Sequence, residues 1–213
     1  MTNISEKDYD FLLKILILGD SSVGKTLLIQ KLKNSNLDGN TIATLGIDFQ
    51  FHTITVLNKR VKLQIFDTAG QEKYKNIATS YYRGVNCIII CFDVTIVDSY
   101  NHIKDWLNGV EHFAKKNVMK VLVGNKIDLK DERKVSSETA SDFADSLNIK
   151  FYETSALKNI GVKELFENIT ETYMKNNPEK FVNNNTNNNN SNDIFKLDEN
   201  INPKKKKEML LIK

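Results

Sequence analysis

The 213 residues balance 30 Lys and Arg against 27 Asp and Glu, a formal net charge of +3, too small to argue for a nucleic-acid partner. At this length, with 40% hydrophobic residues, the chain can bury one core of ordinary size and still carry an appendage. Its two cysteines, Cys87 and Cys91, sit in one apolar run without metal-ligand spacing, no apolar stretch reaches transmembrane length, and the first ten residues are polar and acidic; a disulfide-stapled, metal-finger, membrane-spanning or signal-led protein is thereby disfavoured, and a cytosolic or peripheral one expected.

In chain order, short apolar runs alternate with segments of helical period. Strands are predicted near 11–18, 47–57, 61–66, 85–92, 118–124 and 149–154, and helices near 25–33, 73–81, 99–115, 137–147 and 161–176. Such βα alternation implies an α/β fold with a mostly parallel sheet and helices on both faces. The second and third strands are separated only by Asn58-Lys59-Arg60, too short for a crossover, so they should form an antiparallel hairpin. Asp98 and Ser136 are expected N-caps of the third and fourth helices, with Gly161 near the start of the fifth. Composition changes after Asn177-Pro178: residues 183–192 are nearly all asparagine and cannot bury enough apolar area to offset the entropy of ordering. The expected organisation is an N-terminal segment at 1–10, a domain at 11–176 and a disordered tail at 177–213. The four lysines at 204–207, followed by Met209-Leu210-Leu211-Ile212, read either as a weak membrane-surface or partner-binding helix or as a solvated tail.

Gly19-Asp20-Ser21-Ser22-Val23-Gly24-Lys25-Thr26 fits GxxxxGK[ST] between a strand and a helix, the pattern of a phosphate-binding loop. Backbone N–H groups must converge on the anion, which side chains would obstruct, so Gly19 and Gly24 permit the turn while Ser21, Ser22 and Val23 offer their amides. Lys25 would reach the β- and γ-phosphates and the Thr26 hydroxyl would ligate Mg²⁺. Thr44 could complete the metal's coordination, although a loop threonine taken alone is also an ordinary turn residue. In Asp67-Thr68-Ala69-Gly70-Gln71, Asp67 could hold Mg²⁺ through water, Gly70 could offer its N–H to the γ-phosphate, and Gln71 could orient an attacking water. In Asn125-Lys126-Ile127-Asp128, Asp128 could accept two N–H bonds from guanine, Asn125 could bridge to the phosphate loop, and the Lys126 stem could lie along the base. Ser155 and Ala156 could present a backbone N–H to the guanine oxygen.

These elements, in this order over about 11–176, resemble the Ras superfamily of small GTPases. The stretches Leu45-Gly46-Ile47-Asp48-Phe49, Lys62-Leu63-Gln64-Ile65-Phe66, Gln71-Glu72-Lys73-Tyr74-Lys75, Tyr81-Tyr82-Arg83-Gly84 and Phe92-Asp93-Val94-Thr95 are similar to those of its Rab branch. The resemblance implies a P-loop G domain with a six-stranded sheet, one antiparallel strand and about five helices. It also implies GTP and GDP as ligands with Mg²⁺, switches near 36–49 and 68–82, and Gln71, Lys25 and Thr44 acting in slow GTP hydrolysis. Exchange factors, GTPase-activating proteins and effectors would read the switches and an aromatic triad of Phe49, Phe66 and Tyr81, residues that could otherwise be core aromatics. The role would be vesicle trafficking at the cytosolic face of an endomembrane.

The chain departs from that pattern in several places. No cysteine follows Cys91, so the usual C-terminal prenylation is not expected and membrane contact would be weak or indirect. Leu37 and Thr41 stand where the resemblance implies aromatic rings beside the nucleotide, which predicts faster spontaneous exchange. Phe66 replaces a tryptophan, Leu157 a lysine, and Ser22 a position commonly glycine or alanine. The missing cysteines leave open a second reading, a scaffold that holds GTP and rarely cycles.

Overall fold

The computed structural model describes residues 9–33, 47–68, 82 and 84–181. The strands are β1 (Phe11–Leu18), β2 (Ile47–Val56), β3 (Lys59–Thr68), β4 (Cys87–Asp93), β5 (Met119–Asn125) and β6 (Lys150–Thr154). The described helices are α1 (Lys25–Lys33), α2 (Val97–Asn101), α3 (Ile103–Phe113), α4 (Ser137–Ser146) and α5 (Val162–Asn176). They build one six-stranded sheet in the order β2-β3-β1-β4-β5-β6, in which only the β2–β3 pair is antiparallel. The expected helix near 73–81 lies outside the described residues.

The inner strands read as continuous apolar runs because both of their faces are covered. Period-two alternation sends Leu13, Ile15 and Ile17 of β1 and Cys87, Ile89 and Cys91 of β4 into one core, with Leu28 and Ile29 of α1 and Leu165, Phe166 and Ile169 of α5. Leu16, Leu18, Ile88, Ile90 and Phe92 turn the other way, onto Ile103, Leu107 and Val110 of α3 and Ala140 and Ala144 of α4. The three α3 residues follow the spacing of one helical stripe, which is why that helix docks along a single face. Each fully buried side chain of this size contributes about 1.5–3 kcal/mol, so two such layers hold the strand ends at fixed spacing. Cys87 and Cys91 are buried and unpaired, and burial pushes the Cys91 thiol up to about 12, as expected of structural cysteines.

Two local expectations change. The helix expected near 99–115 is two helices broken at His102, where the Asp105 N–H bonds the His102 carbonyl only three residues back. Asp98 is not an N-cap: Ile96 holds that position with extended backbone, and Asp98 falls in the first turn, where its charge still suits the helix dipole. Ser136 does cap α4, its Oγ accepting from the Thr139 N–H at 3.0 Å. At the other end of the chain, packing continues beyond Asn176 through a 3₁₀ turn, Pro178–Lys180, to Phe181, whose ring centroid lies 4.5 Å from that of Phe11.

The hairpin turn is tighter than expected, because β2 and β3 run to Val56 and Lys59 and leave only Leu57 and Asn58 between them. Both have positive φ, 49° and 59°, the geometry of a two-residue turn whose twist matches the strands. Asparagine accepts that conformation, but leucine does so at a cost of about 1–2 kcal/mol, and Leu57 is exposed, so its side chain recovers little by packing. The pair Leu57→Asn with Asn58→Gly should therefore raise stability by about 1 kcal/mol, read as a higher urea midpoint at unchanged slope; an unchanged or lower midpoint would contradict this account of the turn.

Candidate nucleotide-binding site

The sheet order reverses at β1, which lies between β3 and β4, and the loop 19–24 leaves its C-terminal end there. In open α/β sheets ligands bind at such a point, outside the carboxyl ends of the strands. The loop is shaped by its two glycines. Gly19 has φ +138° and a Cβ on it would lie 2.1 Å from the Cys91 carbonyl oxygen; Gly24 has φ +100° and a Cβ there would lie 2.3 Å from Asn125 Nδ2. Both positions exclude any other residue by strain and by collision. Ser22 adopts φ 64°, so its departure from glycine carries a backbone cost that local sequence could not reveal.

α1 begins at Lys25, immediately after this turn. The Lys25 ammonium is buried and donates to the carbonyls of Gly19 at 2.8 Å and Asp20 at 2.6 Å. Burial lowers its pKa from the ordinary lysine value, against the opposing charges of Asp67 and Asp20. Among the described residues it has no ion pair, and a buried cation that faces carbonyl oxygens suits an anionic ligand. One residue on, the Thr26 hydroxyl donates to Asp67 Oδ2 at 2.7 Å, across from β3. A hydroxyl and a carboxylate side by side are hard oxygen donors, a set that fits Mg²⁺. No group of three or more His, Cys, Asp or Glu that could cage a metal occurs among the described residues; Mg²⁺ does not need one, since it takes its remaining ligands from water and phosphate.

The C-terminal ends of β5 and β6 meet the same loop. Asn125, buried, donates through Nδ2 to the Val23 carbonyl at 2.8 Å, and its Oδ1 accepts from Thr154 Oγ1 at 3.0 Å and from the Ala156 N–H at 3.1 Å. Ser155 Oγ donates to Asp128 Oδ1 at 2.6 Å and accepts from the Lys158 N–H at 3.0 Å, which sets the direction of the Asp128 carboxylate. Lys126 has φ 69°, and its ammonium lies 2.7 Å from Asp93 Oδ2. Asp93 is buried and its other oxygen accepts from the Thr95 N–H and hydroxyl. Sequence reasoning placed Asp93 only within a family-like stretch; the signal it lacked was that β4 and β5 run in register, with Asp93 beside Asn125.

Of the remaining expected positions, Ser21 lies exposed in the loop, and Thr44, Gly70, Gln71 and Tyr81 lie outside the described residues, as do Leu37 and Thr41. Phe49 is 52% exposed on edge strand β2, directly opposite Phe66 of β3, with ring centroids 6.3 Å apart. Phe49 also meets Phe51 edge-on at 5.6 Å. Asp20, assigned no role from sequence, is reached by His102 and Trp106 from α3 and the break before it.

A sequence model of the Ras family matches residues 14–175. The Ras-related protein Rab-1C of Dictyostelium discoideum is 46% identical over 176 residues, 83% of this chain and 88% of its own. RABD2c, a Ras-related protein of Arabidopsis thaliana, is 47% identical over 163 residues, covering 76% of this chain and 81% of its own. The GTP-binding protein ypt2 of Schizosaccharomyces pombe is 45% identical over 163 residues, 76% and 82% of the two chains. A loop with two positions that only glycine can fill, the hydroxyl–carboxylate pair beside it and these similarities over most of both chains agree: the chain belongs to the Ras family of small GTPases, in its Rab branch.

Proposed function

We propose that this protein is a Rab switch of vesicle trafficking that binds GTP and GDP with Mg²⁺, hydrolyses GTP slowly, and recognises guanine through Asp128. The observation that carries this reading is the Asn125 side chain, which joins the loop 19–24 to the segment bearing Ser155 and Ala156 and so supports reading that loop as a phosphate cradle and Asp128 as the group that meets the base.

In this reading the loop 19–24 and the start of α1 hold the phosphates by backbone N–H groups, and Lys25 neutralises charge on the β- and γ-phosphates. Thr26 and Asp67 would hold Mg²⁺, with Thr44; bound there, the ion supplies positive charge that offsets the charge developing on the phosphate oxygens. Gly70 offers its N–H to the γ-phosphate. Gln71 orients a water whose oxygen bonds to the γ-phosphorus as the bond to the β–γ bridging oxygen breaks, and Lys25 stabilises the negative charge left on that oxygen. No arginine is placed by sequence to serve in cis, so turnover is slow until a GTPase-activating protein adds about 10³–10⁵-fold.

Asp128 accepts the guanine N1 and 2-amino hydrogens, Lys126, fixed by Asp93, lies along the base, and the Ser155-Ala156 backbone meets the guanine oxygen. Exchange factors and effectors engage the switches and the Phe49, Phe66, Tyr81 surface, which the exposure of Phe49 supports. Among the described residues no helix is long and apolar enough to cross a membrane, so contact with an endomembrane would be peripheral or through a partner. Similarity to proteins named Rab and GTP-binding over most of their length favours this cycle over a scaffold that holds GTP and rarely cycles.

Asp128→Asn should weaken GDP binding by at least about 2 kcal/mol, roughly thirtyfold, and shift preference to xanthine nucleotide, measured by competition against a fluorescent GDP; undiminished guanine preference would remove Asp128 from recognition. Gln71→Leu should leave GTP binding intact and cut single-turnover hydrolysis with an activating protein by about 10²-fold or more. Hydrolysis equal to wild type would assign the water to another group.

A further inference from the structure

Asp20 is the second residue of a loop built to hold phosphates, and its carboxylate is the wrong sign for that task. It is turned toward the helix layer, where two donors receive it: His102 Nδ1 at 2.6 Å and Trp106 Nε1 at 2.9 Å from its two oxygens. His102 and Trp106 are four residues apart and share one helical face. His102 occupies the one-residue break between α2 and α3. The backbone carbonyl of Asp20 accepts from the Lys25 ammonium at 2.6 Å. Asp20 thus connects the break before α3 to the lysine that would meet the phosphates, and any rotation of its peptide moves an acceptor of that lysine.

We propose that His102 and Trp106 are positioning residues of the phosphate loop, holding Asp20 away from the nucleotide, and that His102 makes nucleotide retention depend on pH. The inference rests on the guanine-nucleotide reading above. The groups facing the imidazole are Asp20 from the loop, Asp105 on α3 and Asp98 on α2, all acidic. The hydrogen bond that the imidazole donates to Asp20, and then the charge of Asp20, hold the imidazole above the ordinary histidine range. The sign follows: the imidazolium–carboxylate contact is complete below about 6.5, the ordinary histidine value, and its ionic part is lost as pH rises through the raised pKa. Above that point neutral His102 can still donate one hydrogen bond, so the contact weakens without vanishing. Trp106 does not titrate and holds Asp20 at every pH.

The test is the release of a fluorescent GDP from the full chain between pH 5.5 and 8.5, compared among wild type, His102→Asn, Asp20→Asn, their double variant and Trp106→Phe. Titration of the nucleotide's own phosphate is common to all five proteins and cancels in the comparison. Wild type should release more slowly at the acid end by about two- to fivefold beyond the His102→Asn profile, the size of a half-exposed ion pair. That extra step should be missing from Asp20→Asn and from the double variant. Trp106→Phe, which keeps a ring and loses the N–H, should release faster at every pH and keep the step. In an NMR titration, the His102 ring should titrate lower in Asp20→Asn than in wild type. Superimposable profiles for wild type and His102→Asn, or a step that survives in Asp20→Asn, would overturn the inference while leaving guanine binding in place. A wild-type chain that retains no guanine nucleotide at any pH overturns the guanine reading and this inference with it.

Discussion

The side chain of Asn125 ties the site together. Its amide nitrogen donates to the phosphate loop at Val23, while its oxygen accepts from Thr154 at the end of β6 and from Ala156 beyond it. The residue is 1% exposed, so each of those bonds forms where an unmet donor or acceptor would cost about 1–3 kcal/mol. An asparagine suits this place because it donates and accepts on one planar group; aspartate would repel the Val23 carbonyl, and leucine would strand three partners. The tie also explains Gly24, since a Cβ there would lie 2.3 Å from the same amide nitrogen. The shape of the loop 19–24 and the geometry at the ends of β5 and β6 are one packing problem.

The sheet makes that tie possible. Strands β1, β4, β5 and β6 are parallel neighbours, so all of their C-terminal ends fall on one edge, and the two buried layers keep those ends from sliding. Charged groups are then placed with little freedom. Asp93 at the end of β4 directs Lys126 at the end of β5, and Asp67 at the end of β3 receives Thr26 from α1. A buried charge without partners would be costly; here each carboxylate has a donor, and the Lys25 ammonium, held on carbonyls, is left available to an anion.

Strain accompanies these contacts. Ser22 and Lys126 both sit in the left-handed region, a conformation that persists only where surrounding contacts impose it. Lys126 has its compensation in the Asp93 contact. Among the described residues Ser22 makes no side-chain hydrogen bond, and the loop holds it between Gly19 and Gly24.

Much was readable from the chain alone. GxxxxGK[ST] between an apolar run and a helix specifies a phosphate loop because only that backbone brings several N–H groups to one anion, and Asn125-Lys126-Ile127-Asp128 specifies a polar cluster at a strand end. Alternating apolar runs determined the layers, since a strand covered on both faces has no polar positions to spare. What tertiary structure alone decided were the pairings across long separations: Asn125 with Thr154 and Ala156, Asp93 with Lys126, Asp20 with His102 and Trp106. It also decided the helix break at His102 and the two-residue turn at Leu57-Asn58. Local sequence records what a residue can donate, accept or bury. Which partner it meets depends on strand order and register, and those are set by how whole layers pack.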